Sequence, residues 1–236
     1  MTAAKRAGFV VTAVLGVSLL AGCADMPVPA AEQTSAPSPS GDRVLVIGHL
    51  ADPATAAATA AGSELALADI RLSGAAQPVD SVRLEHRGAL PTATVVDELA
   101  YFSSLPADVV ISTPQIVAKQ AGEAAVVQLP ESSEAPEEAF VQRLRTIDPS
   151  AADATGAAEA YDATIIVALA ALAANDDGAA SLRSTFASVI DGDVVCSSYG
   201  ECATALADKK TVRYQALRSG WSVSDDGQLN VAAAKN

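Results

Sequence analysis

The groups in this sequence that chemistry could use are few: two histidines, three cysteines, and short runs of hydroxyl and acidic residues near apolar segments. His49 and Asp52 lie close in sequence, and Ser112 closes a distant apolar run, so a Ser-His-Asp set that activates a serine oxygen is one reading. The surrounding motifs do not support it. There is no G-x-S-x-G elbow, no H-E-x-x-H pair and no phosphate-binding loop. His49 and His86 lack any metal-ligand spacing, so neither a metal nor a cofactor is expected, and the chain does not read as an enzyme. Ser112 and Thr113 follow Val109-Val110-Ile111. Their hydroxyls either cap a helix opening at Gln115 or face a ligand. Glu131-Ser132-Ser133 takes the corresponding place after a later apolar run. Tyr161 and Asp162 head a long apolar stretch, which predicts a tyrosine that packs its ring while its hydroxyl finds a partner. Asp162 is favourable there because it lies near a helix start.

Position along the chain decides which environment these groups meet. Lys5 and Arg6 precede an apolar run of about 14 residues, Ala7 to Leu20, short of the roughly 20 that a spanning helix needs. Leu20-Ala21-Gly22-Cys23 follows. A basic start, a short apolar core and small residues before a cut make residues 1–22 a secretory signal peptide. A cysteine directly after the small residues resembles the lipobox of bacterial lipoproteins. That resemblance implies a diacylglycerol on the Cys23 thiol, cleavage before Cys23, and a protein held on the extracytoplasmic face of the cell membrane. Each buried methylene contributes about 0.8 kcal/mol, and two or more chains hold a protein stably where one does not. Residues 23–42, with Pro27, Pro29, Pro37 and Pro39, cannot bury enough to offset ordering entropy and read as a disordered tether. Loss of Lys5 and Arg6 leaves the mature chain two units more negative than the full chain's −13. Such an acidic surface repels phosphate backbones, so nucleic acid is excluded as a partner. With Cys23 acylated, Cys196 and Cys202 remain as an even pair, which outside the cytoplasm favours a disulfide.

The rest of the chain, 43–236, suits one domain. Half of the full chain's residues are apolar but only 4% are aromatic, so the core should be tightly packed and rich in helices. Val44-Leu45-Val46-Ile47 is a continuous apolar run that predicts a strand buried on both faces. Thr55 to Leu72 is helical, with Gly74 as a stop. Val82 and Leu84 alternate with charged residues as a second strand. A helix opening at Pro91-Thr92 places Val95, Leu99 and Phe102 on one face. Val109 to Ile111 is the third strand, a helix follows over Gln115 to Ala121, and Ala125 to Leu129 is the fourth strand. This alternation predicts an α/β fold, a single doubly wound parallel sheet with helices on both faces.

Several of these segments resemble type I solute-binding proteins of branched-chain amino acid ABC transporters. The similar pieces are Gly48-His49-Leu50, the helix Gly62-Ser63-Glu64-Leu65-Ala66-Leu67-Ala68-Asp69-Ile70, Glu138 to Leu144, and Ala158-Glu159-Ala160-Tyr161-Asp162-Ala163. The most specific is Cys196-Ser197-Ser198-Tyr199-Gly200-Glu201-Cys202, which is similar to the family's C-x-S-[FY]-x-E-C loop, with a short helix Ala203 to Lys209 behind it. Tyr214 to Gly220 and the turn Asp225-Asp226-Gly227 resemble the family ending, although Gln215-Ala216 departs from its pattern. The resemblance implies a disulfide between Cys196 and Cys202, and an amino acid or similar small ligand whose carboxylate meets Ser112 and Thr113. It also implies an ABC permease as partner. Family members have two lobes; here Pro130 runs within a few residues into a helix like one of the late second-lobe helices. The expectation is therefore one lobe, with the remaining helices and the disulfide segment packed back on the first sheet. A clamp that excludes water needs two walls, so ligand binding is expected to be weak or lost. The alternative is an envelope scaffolding or sensory lipoprotein that binds a protein partner.

Overall fold

The computed structural model describes residues 41–77, 79–88, 95–116, 118–130, 135–149 and 154–231. Cys23, the signal peptide, nearly all of the tether, the helix start at Pro91-Thr92, and Ser132 and Ser133 lie outside the described residues. Four strands arise where the apolar runs, and for the second the alternation of Val82 and Leu84 with charged residues, predict them: β1 (Val44–Ala51), β2 (Ser81–Gly88), β3 (Val109–Ser112) and β4 (Ala125–Gln128). β1 pairs in parallel with both β2 and β3, and β3 with β4. Successive side chains alternate across the sheet, so β1, β3 and β4 each feed two cores. Leu45, Ile47, Val109, Ile111, Ala125 and Val127 enter the larger one. Leu50, Val110 and Val126 enter a smaller one with Leu99 and Phe102 of α2 (Val95–Ser104). Burial on both faces explains why β1, β3 and β4 read as apolar runs, whereas edge strand β2 alternates. Gly48 belongs to the thin side, where a Cβ would stand 2.7 Å from the Phe102 ring.

The larger core is a layer of helices over the opposite face. α1 (Ala56–Leu72) packs on α4 (Ala157–Ala174), and α4 on α5 (Ala179–Ile190). Alanine lets these helices approach closely. At Gly62 a Cβ would lie 2.1 Å from the Ala157 carbonyl oxygen, so only glycine admits the start of α4 there. α4 is long and apolar enough to cross a bilayer by length and composition, yet its 18-residue span is 78% buried inside the protein. Its apolarity is that of a core helix enclosed by neighbours. α3 (Glu138–Ile147) rests on α1 through Phe140 and Leu144.

Four features depart from the sequence reading. The stretch expected to be helical from Gln115 is a single 3-10 turn, Ala118–Ala121. The Gln128 side chain takes the Ile116 N–H and meets the carbonyls of Ser112, Thr113 and Pro114, committing the backbone groups that such a helix would use. The main sheet, mostly parallel, has six strands instead of the four placed from the sequence, in the order β2-β1-β3-β4-β8-β7. β8 (Leu229–Val231) runs parallel to β4, and β7 (Trp221–Val223) returns antiparallel at the edge through a turn holding Gly227 at φ 78°. A tight hairpin can only join antiparallel neighbours.

The sheet is not single either. β5 (Val194–Cys196) and β6 (Val212–Tyr214) pair in parallel around α6 (Tyr199–Ala207), making a small crossover unit of their own. The fourth departure is that α6 begins at Tyr199 instead of Ala203, and α5, with Leu182, Phe186 and Val189 on one buried stripe, has no counterpart among the predicted elements. The protein is thus an α/β fold whose main, mostly parallel sheet is flanked by helices on both faces.

Candidate functional site

In open parallel sheets, groups beyond the carboxyl ends of the strands are the usual ligand contacts. Here that edge is formed by the ends of β1, β3 and β4, where Leu50 is opposite Ser112, and Ser112 opposite Gln128. Ser112 and Thr113 are both buried. The Thr113 hydroxyl accepts the Asp52 backbone N–H at 2.8 Å and donates to Asp52 Oδ2 at 3.3 Å. Ser112 Oγ donates to the Pro114 carbonyl at 2.7 Å. Neither hydroxyl caps a helix. Gln128, which the sequence reading passed over, is the hub: its Oε1 accepts the Ile116 N–H at 3.1 Å, and its Nε2 lies 2.9 Å from the Ser112 carbonyl oxygen. The edge is therefore pre-ordered by its own side chains, and it carries the Asp52 carboxylate beside Thr113. A negative group there attracts an ammonium or N–H donor more readily than an anion.

The candidate triad is not assembled. Leu50, the register partner of Ser112, enters the thin core, so its neighbour His49 lies on the opposite face of β1. His49 meets His86 across β1 and β2, with their Nδ1 atoms 3.2 Å apart. Asp52 is engaged with Thr113 instead. Among the described residues, no group of three or more His, Cys, Asp or Glu side chains is placed to hold a metal ion.

Tyr161 and Asp162 lie in the second turn of α4, which begins at Ala157, so Glu159 and not Asp162 takes the first-turn place expected of an acid; the pair instead ties distant segments together. Tyr161 packs its ring edge-on to Phe140, with centroids 5.6 Å apart, and its hydroxyl donates to Asp69 Oδ2 at 2.6 Å. Arg143 of α3 pairs with the same carboxylate. Burial, then the hydrogen bond to Asp69, pushes the Tyr161 hydroxyl's pKa up. Asp162 is fully buried and accepts hydrogen bonds from the Tyr214 hydroxyl (3.1 Å) and the backbone N–H groups of Leu217 (3.0 Å) and Arg218 (2.8 Å). Burial raises its pKa to about 7, against the opposing pull of those three donors. Glu159, one turn earlier, pairs with Arg218 at 2.9 Å. These contacts hold the C-terminal segment onto the core.

Cys196 and Cys202 lie at disulfide distance, with Cα atoms 5.3 Å apart. The spacing between them also encodes a helix start. Ser198 accepts the Glu201 N–H, while the Glu201 carboxylate accepts from the Ser197 N–H (2.8 Å) and hydroxyl (2.9 Å). Those bonds from Ser197 hold the Glu201 carboxyl below its ordinary pKa. This is a capping box, S-x-x-E, legible in the sequence though overlooked there. Tyr199 is buried and donates to the Ala76 carbonyl at 2.7 Å, which seats the loop against the end of α1.

Two described cavities lie away from Ser112 and Thr113. One, of about 720 Å³, is at the amino edge of the sheet beside Asp108, Glu123 and Arg183. The other, of about 600 Å³, is bordered by Asn175, Thr185, Lys209 and Lys210. No family model, no curated protein and no solved structure matches this chain.

Proposed function

We propose that this chain is a lipid-anchored extracytoplasmic protein, fastened to the cell membrane through Cys23. In this reading it is similar to one lobe of the solute-binding component of a branched-chain amino acid ABC transporter, and it binds an amino acid or similar small ligand weakly at the carboxyl edge of its main sheet. The address rests on the basic start, short apolar run and Leu20-Ala21-Gly22-Cys23. It is supported by a cysteine pair at bonding distance, since such pairs persist in oxidising compartments. The observation that carries the binding reading is the gathering of Asp52, Ser112 and Thr113 at the ends of adjacent parallel strands. Ser112 and Thr113 are the proposed contacts for a carboxylate, and Asp52 supplies an acceptor for an ammonium. An ABC permease is the proposed partner.

Calorimetric titration with leucine, isoleucine, valine and a panel of amides tests this reading. Saturable heat with one of them, abolished in Thr113→Ala, is the expected result. A second reading has its own support: both hydroxyls are already engaged within the fold, which suits an envelope scaffold or sensory protein with a protein partner. Silence across the whole panel favours that reading and overturns ligand binding.

A further inference from the structure

His49 and His86 are the chain's only histidines, and they are register partners on β1 and β2. Their Nδ1 atoms are 3.2 Å apart and the ring centroids 5.3 Å apart, so the two nitrogens point nearly at one another. Only one of them can carry a hydrogen. His86 Nε2 stands 3.7 Å from Glu64 Oε1 of α1, beyond a hydrogen bond but near enough for the carboxylate to favour the His86 hydrogen on Nε2, with Nδ1 as the acceptor. His49 then donates from Nδ1. Its Nε2 is left as a bare lone pair, buried and without a hydrogen-bond partner.

The neutral pair fits this arrangement, and a protonated pair does not. A proton taken up at His86 Nδ1 forces the His49 hydrogen onto Nε2, creating a buried donor with nothing to receive it. A second proton sets two N–H groups head-on across the gap. The charged group facing the pair among the described residues is Glu64 from α1; Glu85, next to His86 on β2, acts on it by charge from the other face. On its other side His49 is in register with Ile111 of β3, which carries no charge. Burial pulls His49 down to about 3, with His86 adding to the shift; burial also lowers His86, opposed by Glu64 and Glu85. Among the described residues β2 is the outermost strand of its sheet and pairs only with β1. An edge strand held from one side opens at lower cost than an interior one.

We infer that the His49–His86 pair is an acid-sensitive latch, fastening edge strand β2 to β1 when neutral and releasing it when the pair takes up protons. Hydrogen exchange of the full chain at about pH 7.5 and about pH 5, corrected for intrinsic exchange, tests it. Relative to α4, the amides of Ser81–Gly88 should exchange at least about tenfold faster at the lower pH. Replacing both histidines with leucine should abolish that difference. An unchanged ratio in the wild type, or a pH difference that survives in the double variant, overturns the latch. Ring NMR of the wild type decides the matter even if the leucine variant fails to fold. The latch requires the His49 hydrogen on Nδ1 near neutrality and both rings protonating below about pH 6.5. An imidazole titrating at its ordinary value, or a hydrogen on His49 Nε2, contradicts it.

Discussion

Asp162 receives three donors that reach it from more than 50 residues along the chain. Removing the carboxylate would orphan the buried Tyr214 hydroxyl and two part-buried backbone N–H groups, so Asp162→Ala should cost about 3 kcal/mol. Urea denaturation checks this, and a loss under about 1 kcal/mol would mean that water or local shifts replace the bonds. The sequence foretells that Tyr161 packs its ring and finds a hydroxyl partner, because an apolar helix leaves a phenol no other course. It cannot foretell that the partner is Asp69, shared with Arg143, since that meeting depends on how α1, α3 and α4 cross. Gln128 is the plainest omission. A lone glutamine ending an apolar strand carries no spacing signal, and its role emerges only from carbonyls that the fold brings around it.

β1, β3 and β4 were legible as apolar runs, β2 as an alternation and α1 as a helical stripe, because each kind of burial leaves its own mark in the sequence. β5, β6 and β7 are three residues each, too short for alternation to register, and their pairing is imposed by tertiary contact. The expected helix at Gln115 failed for a related reason: local propensity lost to side-chain bonds from β4. At the disulfide the elements and the motif agree. Ser198 and Glu201 start α6 while the cysteines close the loop around that start. Chain-entropy bookkeeping gives about 2 kcal/mol for so short a loop. Cys196→Ser should therefore lower stability by about that amount, measured by denaturation of oxidised wild type against the variant, and leave membrane attachment unchanged. A variant released from the membrane would contradict the separate roles given to these cysteines and Cys23.

For the whole molecule, opposing groups shape the response to pH. The folded pKa of His49 and of His86 lies below the ordinary 6.5, so the unfolded chain binds the extra protons and stability falls as pH drops below that value. Asp108, at the amino edge, has the reverse sign. Burial chiefly, and neighbouring carboxylates at Asp177, Asp42 and Asp176, raise it to about 7 from 3.8. The folded state then binds the extra proton, and stability rises as pH falls from about 7 towards 4. Asp108→Asn removes that gain. Its stability relative to wild type should decline by about 1 kcal/mol between about pH 8 and about pH 5, allowing for partial exposure of the group. Parallel urea titrations at the two pH values check this, and a pH-independent difference would contradict the assignment.

At the same scale, the acidic balance of the chain, −13 over its full length, disfavours self-association, and the proposed anchor is a single thiol, that of Cys23. The most direct test of that anchor is the intact mass of the protein recovered from bacterial membranes. The account predicts a mature chain beginning at Cys23 and carrying the added mass of a diacylglycerol. An unmodified chain, or one whose terminus lies elsewhere, contradicts it.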